Sequence, residues 1–442
     1  MMNRRSLIRA GLGMTGVVAL GGRARADDGF RPLFNGKDLS GWVPVNVAPE
    51  TFTARDGMIV STGKPTGVLR TDRPYENFIL ECEWRHMTPG GNAGLFVHSD
   101  ALPAPGVPFT RGIEVQILDG QEGKDYTSHG DVFGIWGAKM TPDRPHPSGW
   151  MRCLPDEKRA RPSPEWNHYR VTSRDGVLKL AVNGKEVSGA AGCSPRKGYL
   201  CLEAEGSECH FRDIRIRELP STNPTGAETA TLDRGFVSLY SGLDLRGWKS
   251  DPGHAGHWRA KDSILDYDGK SGAKEKVLWT EKEYGDFRMI VDWRLPGEPK
   301  PRPRAVVLPN GDDARNPDGT PKTLQVPYAG DSGILIRGSE KAQINITCNT
   351  VGSGELYGYR TDRALPVEVR AAGIPRVKAD RPPGQWNRFE ITLEGERLTV
   401  LLNGQTVIDG ARLPGLPARG PIGLQHHGDS VQFTNLFLRE IG

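Results

Sequence analysis

The chain has no apolar run near the ~20 residues that a bilayer-spanning helix requires, and no long amphipathic helical pattern. Neither a membrane-spanning helix nor a helix bundle fits it. Cysteine is scarce, with six in 442 residues, and spacing alone cannot choose among the connectivities they allow. An excess of one charge is missing as well. The whole chain carries 58 basic and 54 acidic residues, but residues 1–26 hold five of the arginines and no acid, so the remainder is balanced and offers no support for a nucleic-acid partner.

What the chain does have is glycine, 56 residues, and proline, 34, between short alternating apolar runs. That composition predicts an all-β protein rich in turns. The N-terminus reads as an export signal: Asn3 to Ile8 form a twin-arginine type segment, residues 11–22 are a short, weakly apolar stretch, and Ala24-Arg25-Ala26 is a small-x-small cleavage site. The expected location is periplasmic or secreted, with no transmembrane segment once the signal is removed. Twin-arginine export carries folded protein, which fits a cofactor or metal loaded beforehand.

The rest is a duplication. FRPLFNGKDLSGW (30–42) is repeated as FVSLYSGLDLRGW (236–248), VLRTDRPYENFILECEWR (68–85) as VLWTEKEYGDFRMIVDWR (277–294), and GNAGLFVHSD (91–100) as GDSGILIRGS (330–339). EWNHYRVTSRDGVLKLAVNGKEV (165–187) returns as QWNRFEITLEGERLTVLLNGQTV (385–407), and GYLCLEAEGSECHFRDIRIREL (198–219) as GPIGLQHHGDSVQFTNLFLREI (420–441). We therefore expect a signal at 1–26, a first domain at 27–219, a linker at 220–235 and a second domain at 236–442. The last repeat reads as a hairpin in each half. In the first copy Cys201 and Cys209 lie symmetrically about Glu205, so a cross-strand disulfide and two half-buried free thiols are both open. Asn183-Gly184 and Asn403-Gly404 read as structural hairpin turns.

The halves differ mainly in their loops. The second carries an insertion from about Pro296 to Tyr328, and a connection of that length is expected to be either disordered or built around a binding site. Its acids Asp312, Asp313 and Asp318 fit no standard calcium loop and read as a solvated turn.

Strand alternation predicts which residues oppose the core. In the first half these are Phe96, His98, Glu114, Gln116, Glu203 and Glu205. In the second they are Arg337, Gln343, Asn345, Gln425 and His427. Amides, acids, two histidines and one arginine at matching positions suit sugar hydroxyls, which need both donors and acceptors.

Together the repeated segments resemble the 3-keto-disaccharide hydrolase family, over residues 30–219 and again over 236–442. The resemblance implies two concanavalin A-like jelly-roll β-sandwiches in tandem, each with a concave sheet for the ligand. It also implies cleavage of glycosides already oxidised to a ketone at carbon 3, with a divalent metal (calcium, manganese or magnesium) in some members. A 3-ketone acidifies the proton on carbon 2, so the site needs a base, an enolate stabiliser and an acid for the leaving group. In the second half these roles are expected of His427, Arg337 and Glu355, the last as acid or metal ligand, with Arg360 orienting the sugar. In the first half Glu114, Asp119 and Asp131 form the candidate metal set. The readings set beside this one are a lectin-like carbohydrate-binding protein and, behind it, a paired-carboxylate hydrolase using Glu203 and Glu205.

Overall fold

The computed structural model describes residues 28–119, 129–249 and 251–442. The segment read as an export signal lies outside them. Among the described residues nearly all regular structure is antiparallel strand, as the composition and turn chemistry predict. Among the described residues the α-helices are two short pieces, Tyr357–Arg360 and Val367–Ala372, and no helix there is long and apolar enough to cross a membrane.

Each half is two sheets face to face. In the first, a seven-stranded sheet centred on Gly112–Leu118, Asn92–Ser99 and Tyr199–Ala204 packs on a nine-stranded sheet centred on Asn167–Arg174, Phe78–His86 and Cys209–Glu218. The second half repeats this with a four-stranded sheet (Val277–Tyr284, Gly420–Gln425, Asp331–Ile336, Ser339–Thr347) on an eight-stranded one. The alternating apolar residues meet between the sheets: Leu95, Val97, Ile113, Val115 and Leu202 in one core, Ile334, Ile344, Ile346, Ile422 and Leu424 in the other. Burial of these side chains, roughly 1.5–3 kcal/mol each, holds the sheets together.

The repeated terminal segment is not a hairpin. Tyr199–Ala204 belongs to one sheet and Cys209–Glu218 to the other, and Gly420–Gln425 and Val431–Glu440 are divided in the same way. The polar turn carries the chain across the sandwich, so both strands point apolar residues into one core without pairing. Of the two states left open for Cys201 and Cys209, the bridge is excluded for this reason and the free thiols stand. Cys201 faces outward among Val45, Val68 and Phe96, Cys209 lies in the core, and all six cysteines are free.

The outer face of the first half's seven-stranded sheet is partly covered by the second half. Phe96, Val68, Val45 and Tyr199 pack against Phe236, Ile290 and Phe437. Beside them lies a buried polar knot. Asp292 accepts from Arg388 at 2.6 Å, from Asn435 at 2.6 Å and from the backbone of Gly106 at 2.8 Å. Asn435 in turn donates to the carbonyls of Ala104 and Val107.

Candidate functional site

In the second half the outer face of the four-stranded sheet is the floor of a cleft of about 560 Å³. Alternation brings Gln343 and Asn345 from Ser339–Thr347, Gln425 from Gly420–Gln425, and Asp331 at the head of Asp331–Ile336 to this face. Gly333 makes room for them, since a Cβ there would stand 2.5 Å from the Gln343 amide nitrogen. The amides are linked: Gln343 Nε2 donates to Asn345 Oδ1 and to Gln425 Oε1, both at 2.7 Å. A second open region, lined by Asp251, Lys274 and Lys276, shares Gln343 and Gln425 with the cleft and extends it along the sheet.

The wall opposite comes from the insertion. Lys300–Ala305 and Thr323–Tyr328 pair as a two-stranded ribbon, and Arg304, Ala305, Val307 and Asp313 line the cleft. Of the acids in its loop, Asp312 is ion-paired with Arg363 and Arg370, Asp313 with Arg360, and Asp318 accepts from Thr320 within its own turn. Each has its partner within the chain.

Glu355 and Arg360 are buried and paired, Arg360 Nε donating to the carboxylate. Asn349 donates to the other oxygen at 2.7 Å, and Arg360 Nη1 also holds the Gly311 carbonyl at 2.9 Å. Burial raises the Glu355 pKa while the arginine pulls it back. The pair ties the insertion loop to the sheet at the cleft wall.

His427 stands in the turn after Gln425 with its side chain 64% exposed and Nδ1 4.0 Å from Asp331 Oδ1. The other Asp331 oxygen accepts from Thr347 Oγ1 at 3.2 Å and lies 3.8 Å from Arg304 Nη2. Burial raises the Asp331 pKa, against the opposing pull of His427 and Arg304. Its neighbour His426 is a buried structural residue whose Nε2 lies 2.8 Å from the Glu275 carbonyl and 3.1 Å from His254 Nε2.

Two expected cleft residues are elsewhere. Arg337 and His98 occupy equivalent positions just past the point where alternation ends, each at positive φ, +48° and +53°. A left-handed residue turns its side chain out of strand register. Arg337 is buried, donating to the carbonyls of Gly285 at 3.0 Å, Gly395 at 2.8 Å and Pro417 at 3.2 Å and pairing with Asp286. It cannot serve as the enolate stabiliser. His98 is buried against Phe78 and Ser173, and burial pushes its pKa down to about 4. Asp331, Arg304 and Thr347 were missed. Asp331 was within reach, because it precedes Gly333 by two and shares its parity; Arg304 lies in an insertion with no counterpart in the other half.

The first half places carboxylates where the second has amides and histidine. Glu114 and Glu203 approach over Gly94, their oxygens 2.9 and 2.8 Å from where its Cβ would be. Gln116 donates to Asn92 at 2.8 Å and Asn92 to Glu205. Burial, then the charge of Glu205, pushes Glu114 up to about 8. Burial, then Glu114, raises Glu203, and burial, then Asp262 of the second half, pushes Glu205 up to about 7. The expected metal set does not fit a cation. Asp131 lies 3.3 Å from Arg152, and Asp119 lies 3.6 Å from His129. Among the described residues no three His, Cys, Asp or Glu side chains gather as a metal would require.

Comparison with known proteins bears on both halves. A curated 3-keto-disaccharide hydrolase of Bacteroides thetaiotaomicron is 21% identical over 238 residues, 43% of this chain and 79% of that protein. A solved chain from Parabacteroides distasonis is 24% identical, covering 43% of this chain and 94% of its own length at a TM-score of 0.35. The carbohydrate-binding module CBM66 from Bacillus subtilis is 12% identical, covering 40% and 96% at a TM-score of 0.31. The model of the 3-keto-alpha-glucoside-1,2-lyase-like domain matches twice, over residues 29–217 and 235–439. Through both of its halves, the chain belongs to the 3-keto-alpha-glucoside-1,2-lyase-like domain family.

Proposed function

We propose that the protein is an exported enzyme cleaving 3-keto-glycosides, and that the cleft of the second half is its active site. The observation that carries this reading is the group at one end of that cleft, where the Asp331 carboxylate lies between the His427 imidazole at 4.0 Å and the Arg304 guanidinium at 3.8 Å. The Asp331 carboxylate thus faces the imidazole that would take up a proton as base, with the positive charge of Arg304 on its other side. The cleft's volume is that of a small-ligand site, and its floor of linked amides offers donors and acceptors to ring hydroxyls.

His427 removes the proton on carbon 2 of the bound 3-keto sugar. The C–H electron pair passes into an enolate whose oxygen, on carbon 3, is held by Arg304. Expulsion of the aglycone from carbon 1 breaks the glycosidic C–O bond, and the leaving oxygen takes a proton from water while His427 returns its own to solvent and becomes neutral again. An unsaturated keto sugar remains, and addition of water to its double bond would complete a net hydrolysis. Gln343, Asn345 and Gln425 bind the sugar, while Glu355 and Arg360 fix the wall.

The experiment is release of a chromogenic phenol from a 3-keto-glucoside, beside the same glucoside unoxidised, with deuterium uptake at carbon 2 followed in heavy water. Release and exchange from the ketone alone are expected. Binding of the ketone without release or exchange would leave a carbohydrate-binding protein.

A further inference from the structure

Arg304 lines the cleft beside the Asp331 carboxylate, yet no hydrogen bond among the described residues holds its guanidinium there. Nη2 lies 3.8 Å from Asp331 Oδ2, and Nε is buried without an acceptor. A side chain with this much rotamer freedom needs another constraint if it is to keep one position.

The ring of Tyr328 supplies it. Arg304 Cζ lies 4.5 Å from the ring centroid, and Arg302 Cζ lies 4.4 Å from the same ring. Both fall inside the ~6 Å over which an aromatic face attracts a guanidinium. The ribbon's register accounts for the meeting. Lys300 pairs with Tyr328, Arg302 with Val326 and Arg304 with Leu324, so the tyrosine and both arginines belong to one face.

Tyr328 is held in turn. Its hydroxyl donates to Asp429 Oδ2 at 2.5 Å. Asp429 follows His427 by two residues, in the turn between Gly420–Gln425 and Val431–Glu440. The chain from Tyr328 to Asp331 runs close against that turn, since a Cβ on Gly330 would stand 3.1 Å from Asp429 Cβ.

The duplicated fold does not require this clasp. In the first half Ser207 holds the position of Asp429 and Asn92 that of Asp331. Ser207 Oγ accepts from the Asn92 backbone at 2.7 Å and donates to its carbonyl at 3.1 Å, fastening the turn directly to the strand. In the second half Asp429 reaches the insertion instead.

We infer that Tyr328 is a positioning residue: its ring holds Arg304 beside Asp331, and its bond to Asp429 ties that arginine to the turn carrying His427. The holding rests on these contacts alone; that it serves an enolate rests on the function proposed above.

Two variants divide the side chain, Tyr328→Leu removing the ring and Tyr328→Phe keeping it without the hydroxyl. Tyr328 belongs to neither sandwich core, so both are expected to fold, and Tyr328→Met replaces the leucine variant if a thermal melt says otherwise. Position is read without turnover, as the rate at which phenylglyoxal modifies Arg304, located by peptide mass spectrometry. Loss of the ring contact is expected to raise that rate about fivefold in Tyr328→Leu and less than about twofold in Tyr328→Phe. Phenol release from a 3-keto-glucoside is followed beside it. Tyr328→Leu should lower kcat roughly tenfold with KM little changed, and Tyr328→Phe roughly threefold. In an Arg304→Met background Tyr328→Leu should cost nothing further. An unchanged labelling rate in Tyr328→Leu, or a rate in Tyr328→Phe as high as in Tyr328→Leu, overturns the inference. So does an undiminished loss in the Arg304→Met background, because a residue that only supports the fold adds its effect to any other. A wild-type protein that releases no phenol would count against the proposed reaction, and the labelling rates would still decide what holds Arg304.

Discussion

At the scale of single residues, burial separates the side chains that can act from those that only hold. His427 is exposed into the cleft, whereas Arg337 is enclosed by three carbonyls and Asp286. Replacing Arg337 by Ala is expected to cost about 2–4 kcal/mol, because it strands buried acceptors. Urea denaturation of the variant checks this, and its folded fraction should keep its activity. Arg304→Met should do the reverse, lowering kcat about 10²–10³-fold with little change in stability, the usual loss when an oxyanion donor is removed. Steady-state kinetics beside a thermal melt separates the two.

At the scale of elements, alternation was enough to identify the core and most of the cleft face. Gln343, Asn345 and Gln425 lie on one sheet face because Ile344, Ile346 and Leu424 lie on the other. The rule failed where a strand ends. His98 and Arg337 carry positive φ, which no alternation reveals, and only the pairing partners of Cys209–Glu218 show that the terminal repeat crosses between sheets. The ribbon from Lys300 was legible as an insertion, but the position of Arg304 in it depends on how the two strands pair over the cleft. In the first half, the same positions that carry amides and histidine in the second carry Glu114, Glu203 and Glu205. These carboxyls make a pH signature. With Glu114 raised to about 8 from the ordinary 4.5, the folded chain keeps a proton that the unfolded chain releases. Stability is therefore greatest below about pH 4.5 as far as this group is concerned, and falls as pH rises through 8. Glu114→Gln should flatten that decline, and melting temperatures between pH 5 and 9 would show it.

At the scale of the whole molecule, the duplication has produced two unlike halves. The second packs Ile290 and Phe437 onto the outer face of the first and brings the charge of Asp262 to bear on Glu205, while keeping its own cleft open. Asp292 anchors this contact with no exposed surface of its own, so Asp292→Ala leaves Arg388 buried and uncompensated. The expected cost is about 3–5 kcal/mol, seen in denaturant unfolding as a lowered midpoint with the halves melting apart. On the function proposed above, the second cleft carries the chemistry and the first half has a supporting role. The most direct test is the rate of phenol release from a 3-keto-glucoside by His427→Ala set beside Glu203→Gln. The account predicts a loss of about 10²–10⁴-fold in the first, the usual worth of a general base, and a near-normal rate in the second. A near-normal rate in His427→Ala with activity lost in Glu203→Gln would contradict it and move the active site to the first half.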